Sequence, residues 1–79
     1  MEKERAGKSL AKLKIHLERS AWIKEECPEV FALAEQYAKD AGHFFKKGDY
    51  FSSFGASDYA YGLLDGVWLA EKGGLPAPL

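Results

Sequence analysis

Seventy-nine residues leave room for one domain with a modest core, and a chain of that size buries only about 60–65% of the surface its unfolded form exposes. The composition is 47% apolar and 29% charged with a net charge of −1, which excludes the low hydrophobicity and high charge of a disordered chain. A single cysteine, Cys27, excludes an intramolecular disulfide and a Cys-rich zinc site. No apolar run approaches the ~18–20 residues of a membrane span, and the N-terminal MEKERAGKSLAK lacks a signal-peptide core, so a cytoplasmic protein that does not enter the membrane is expected.

The near-zero net charge conceals an asymmetry. Residues 1–24 carry seven Lys/Arg against three Glu, a surplus of +4, whereas residues 25–79 carry four Lys against nine Asp/Glu, a surplus of −5. Such halves attract each other within one molecule or between copies.

In chain order, residues 3–25 read as a first helix rich in good formers. Ala6, Leu10, Leu13, Leu17 and Ala21 recur at helical spacing, and Ala11, Ile15 and Trp22 form a second stripe ~120° away. Two separated stripes require two neighbours, or one neighbour and a partner chain. Pro28 suits the first turn of a helix and pushes Cys27 out of helical geometry, so a second helix is predicted over 28–47. Its period is clean: Val30, Ala34, Tyr37, Ala41 and Phe44, with Glu35, Gln36, Lys39, His43 and Lys46 opposite.

Gly48 is a natural left-handed cap, and Asp49 an N-cap for a third helix over 50–72 that ends at Gly73–Gly74. Residues 1–74 are thus expected to form one domain, with 75–79 as a flexible tail. The third helix holds more than half of the eleven aromatic residues. Tyr50, Phe54, Tyr61, Leu64 and Trp68 make one apolar stripe, and Ala56, Ala60, Leu63, Val67 and Ala70 another. Phe51 and Leu69 stand on a third side. Gly55, Gly62 and Gly66 lie within ~40° of one another, each costing ~1 kcal/mol of helix propensity, and close approach by a neighbouring helix is the expected compensation. The fold predicted is an all-α, antiparallel up-and-down three-helix bundle.

Few residues invite chemistry. Asp58 and Asp65 share a face of the third helix, where paired carboxylates can bind metal or move protons. The plainer reading is a solvated stripe, or hydrogen bonds to Tyr hydroxyls and to Lys/Arg of the first helix. A metal or catalytic bundle would also draw on Asp40 and His43, but the Glu-x-x-His pairs of di-metal bundles are missing. His16 and His43 read as surface histidines, Cys27 as a packed or idle thiol, and no cofactor is implied. Lys8, Lys12 and Arg19 line one side of the first helix and could meet the phosphates of a nucleic acid. The Ile15 and Trp22 stripe offers anchors of the kind that protein interfaces use. Either it packs on the third helix or it meets a second copy.

Three segments carry a resemblance: Tyr37–Ala38–Lys39–Asp40–Ala41, Lys47–Gly48–Asp49–Tyr50 and Tyr59–Ala60–Tyr61–Gly62–Leu63–Leu64–Asp65. They resemble the Tyr-x-x-Asp-Ala, Lys-Gly-Asp-Tyr and Tyr-Ala-x-Gly-x-Leu-Asp pattern of a small archaeal family, domain of unknown function family 357, across nearly the whole chain. Ser57–Asp58 departs from that pattern. The resemblance implies a closed up-and-down three-helix bundle, an archaeal cytoplasmic origin and no assigned biochemistry. It marks Asp40, Tyr61, Gly62 and Asp65 as positions to inspect. The expectation for function is a non-catalytic, self-associating interaction module, a dimer or a binder of another protein. An RNA- or nucleoprotein-associated module is the alternative.

Overall fold

The computed structural model describes residues 2–79 and is all-helical, with four helices, three of them long. These are α1 (Glu2–Arg19), α2 (Ile23–Glu26), α3 (Pro28–Lys46) and α4 (Tyr50–Lys72). The boundaries expected for the last two helices agree within one residue. The first does not run to residue 25: it stops at Arg19 and resumes as one turn.

That interruption has a local cause. Ser20 N–H donates to Leu17 O at 3.2 Å, Ala21 N–H to Glu18 O at 3.3 Å, and Ile23 N–H to Ser20 O at 2.9 Å, so the chain tightens from i→i−4 to i→i−3 bonding. Side chains three apart eclipse in such a turn. Ile23 therefore falls in line with Ser20, instead of ~60° aside as a straight α-helix would put it. Both residues are fully buried, and the Ser20 hydroxyl accepts from Trp68 Nε1 at 2.9 Å. Cys27, extended at φ −147° ahead of Pro28, then ends α2.

Three residues, Lys47, Gly48 and Asp49, join α3 to α4. Gly48 takes φ +84°, and the amides of Gly48 and Asp49 reach back to Phe45 O at 3.0 Å and Phe44 O at 2.9 Å, a Schellman closure of α3. Asp49 then accepts from Ser52 N–H at 3.1 Å as the cap of α4, and those bonds hold its carboxyl below the usual carboxylate range.

The core is formed by Leu13, Ile23, Phe31, Ala34, Ala60, Leu64 and Val67. On α4 the buried seam is Ser53, Ser57, Ala60, Leu64 and Val67, which runs between the two expected stripes and borrows from each. Small residues line much of it, and Ser53 Oγ donates to Ala41 O across the helix gap at 2.8 Å. The expected close approach at Gly55, Gly62 and Gly66 is not what brings the helices together. A methyl group built on any of the three meets nothing within 4 Å. Contact is most extensive between α3 and α4, next between α1 and α4, and slight between α1 and α3. An apolar groove of about 540 Å³ therefore runs beside Leu10, Leu17 and Ala38, between α1 and α3.

Two substitutions test this packing in urea denaturation. Gly66→Ala should stabilise the protein by about 0.5–1 kcal/mol, because helix propensity improves with no steric cost. A loss instead would mean that a neighbour does occupy that surface. Leu64→Ala, in the closed part of the core, should cost about 2–5 kcal/mol.

Candidate functional site

The most densely bonded side chains of the protein meet where α1, α4 and the C-terminal segment converge, and a histidine stands at their centre. His16 is fully buried, not a surface residue as expected. Its register explains why: Leu13, His16 and Ser20 recur at i, i+3 and i+7, and all three face inward. Reading histidine as polar hides that seam.

Both ring nitrogens are engaged. Arg19 Nε lies 2.9 Å from Nδ1, and Asp65 Oδ1 lies 2.8 Å from Nε2. A guanidinium can only donate, so Nδ1 is the acceptor and the single ring proton resides on Nε2, directed at the carboxylate. The imidazole is neutral and bridges an anion and a cation. Its face is covered by Tyr61, stacked with centroids 4.0 Å apart and planes 22° from parallel. Arg19 continues the network, donating through Nη2 to Tyr61 Oη at 3.2 Å and through Nη1 to Ala77 O at 2.6 Å. One arginine thus ties the histidine, α4 and the C-terminal segment together.

Burial lowers the His16 pKa below its ordinary value, the Asp65 hydrogen bond and charge pull it back up, and the Arg19 charge lowers it further. With no free lone pair and a covered face, the ring has no site for a metal ion or a substrate proton in this arrangement. What it does is fix α1 against α4.

Of the positions singled out in the sequence, the structure brings Asp65 and Tyr61 together here and scatters the rest. Asp58 is exposed, so the two aspartates of one face serve different surroundings. Asp40 accepts from Gln36 Nε2 on its own helix at 3.1 Å. Gly62 is exposed with open space above it. The Ile15 and Trp22 pair divides: Ile15 stays 47% exposed, while Trp22 packs edge-on against Trp68 at 5.1 Å beneath the Lys72 ammonium. His43 is exposed, and Cys27 is a half-buried free thiol against the core. Among the described residues no three His, Cys, Asp or Glu gather where they could hold a metal ion, and no helix is long and apolar enough to cross a membrane. His16 and Arg19 are the members of the cluster whose joint role the sequence reading missed.

The model of one protein family, described as "Protein of unknown function (DUF357)", matches residues 4–71. The chain belongs to that family. No curated protein and no solved structure matches it.

The cluster sets a pH dependence. In the unfolded chain His16 titrates near its ordinary value of about 6.5, and in the folded protein lower. As pH falls below about 6.5 the unfolded state takes up the proton first, so stability present above that value declines toward the folded pKa. Urea midpoints measured from pH 7.5 to 5.5 should fall, and His16→Gln should flatten the slope; equal slopes would contradict this origin. Asp65→Ala, which strands the buried Nε2 proton, should cost about 1–3 kcal/mol.

Proposed function

We propose that this DUF357 protein is a non-catalytic, self-associating protein-interaction module, working in the cytoplasm of an archaeal cell and carried on an antiparallel up-and-down three-helix bundle. The observation that carries the reading is the outward side of α4. Phe51 is 85% exposed, Leu69 and Tyr59 53% each, and Phe54 38%. Phe51, Gly55, Asp58, Gly62, Gly66 and Leu69 fall within ~80° of one another around the helix. An aromatic side chain carries about 150–250 Å² of surface, and covering it is worth about 2–3 kcal/mol. Nothing within the chain uses that gain. Exposed apolar side chains of this kind, separated by glycines that leave the backbone bare, suit contact with another helix.

The alternatives have weaker support. Among the described residues no three of Asp40, His43, Asp58 and Asp65 gather, which leaves a catalytic or metal reading without a common site. The exposed lysines of α1 would serve a nucleic acid only through charge, and binding would weaken steeply with salt.

Light scattering coupled to size exclusion tests the reading. A dimer is expected at tens of micromolar protein, and a clean monomer at several hundred micromolar would refute it.

A further inference from the structure

Arg19 holds the C-terminal segment to the helices. Beyond Gly73, whose amide closes α4 on Leu69 O, the hydrogen bond that ties residues 74–79 down among the described residues is the one Ala77 O accepts from Arg19 Nη1 at 2.6 Å. Gly74 and Pro76 are half-buried, while Leu75 and Leu79 are exposed, so little apolar burial backs that bond. The same guanidinium donates through Nη2 to Tyr61 Oη and through Nε to His16 Nδ1. Its nitrogens lie in one rigid plane, so a shift that breaks one of these bonds disturbs all of them.

The neutral His16 ring has one place to take up a proton. Nε2 already carries a hydrogen directed at Asp65, so the proton must enter at Nδ1, where the Arg19 Nε–H stands at 2.9 Å. Two donors and two positive charges would then face each other across that distance, and Arg19 has to withdraw. The Nε2–H bond to Asp65 survives and becomes an ion pair, which keeps α1 on α4. The charged groups that bear on the ring are Asp65 of α4 and Arg19 of α1, and among the described residues none from α2 or α3 joins them. Tyr61 of α4 covers the ring face, and the C-terminal segment presents a carbonyl to Arg19.

We propose that His16 and Arg19 form a proton-released clasp: uptake of a proton at His16 Nδ1 expels the Arg19 guanidinium, which lets go of Ala77 O and frees residues 74–79, while α1 and α4 stay together. The coupling is reciprocal. A withdrawn Arg19 no longer opposes the imidazolium, so release of the segment favours the proton just as the proton favours release. Burial, with the Arg19 charge, places the titration below the ordinary histidine value against the pull of Asp65. The clasp is therefore closed at neutral pH and opens on acidification.

The test is nitrogen-15 NMR of the full chain from pH 7.5 to 4.5, following the His16 ring nitrogens together with the backbone amides of Leu75 and Ala77, with circular dichroism at each step to verify the helices. Both amides should be ordered at pH 7.5. Their order parameters should fall below about 0.6, the range of flexible backbone, with the same midpoint as the His16 ring and with helicity unchanged. Amides that stay ordered through the ring titration, or that are already mobile at pH 7.5, would overturn the proposal. So would a ring that takes up its proton only as the helices melt. Two variants separate the clasp from a merely structural contact. His16→Gln offers a donor and an acceptor but takes up no proton, so its segment should show no transition over this range; a transition at the wild-type midpoint would contradict the assignment. Arg19→Gln should leave the segment mobile at every pH and raise the His16 pKa, and an ordered segment or an unmoved pKa would contradict the coupling.

Discussion

A neutral imidazole held between a carboxylate and a guanidinium is the constraint on which the arrangement of α1 depends. α1 has slight contact with α3, and its inward residues are few: Ala6, Leu13 and His16. Hydrophobic burial alone would leave its rotation and its slide along α4 weakly defined. His16 supplies both coordinates, because its Nε2 meets Asp65 of α4, its ring plane is set by Tyr61 of α4, and Arg19, one turn along α1, holds Nδ1 while reaching the Tyr61 hydroxyl. Breaking one bond leaves a buried polar atom without water to replace the partner, which makes the wrong register costly. The second fixed point is a turn further on, where Trp68 donates to Ser20.

α4 is the central helix because its inner seam is made of small residues. Ser53, Ser57 and Ala60 let α3 come close, and Tyr37 packs edge-on against Tyr59 at the rim. The larger aromatics are displaced to the flanks, where Tyr61 and Trp68 serve α1 and Phe51 and Phe54 remain near water. Surplus apolar surface on α4 is thus a consequence of the close α3 packing.

The parts of this fold legible in the sequence are those governed by local rules. Pro28, the Gly48–Asp49 pair and Gly73 each impose backbone geometry that does not depend on distant residues, and the boundaries they predict agree with the structure. What eluded pattern reading was polar residues in buried positions. Ser53 and Ser57 occupy seam positions, and counting them as polar splits one seam into two apparent stripes. His16 shares the inward register of Leu13 and Ser20, and its polar ring is tolerated there because Asp65, 49 residues away, accepts its proton, a partner that no spacing within α1 announces. The three glycines of α4 suggested close packing within the chain and face open space instead. Of the two aspartates on one face, only Asp65 meets a partner: the two share a helix phase, but Asp65 stands level with His16 of α1, whereas Asp58, two turns earlier, stays exposed.

The central claim is that His16 is locked as a single neutral tautomer between α1 and α4. Nitrogen-15 NMR of the histidine side chains at pH 7 reads this directly. The account predicts one His16 ring with a protonated Nε2 and an unprotonated, hydrogen-bonded Nδ1, slow to exchange with solvent. A doubly protonated ring, or one averaging between tautomers, would contradict it.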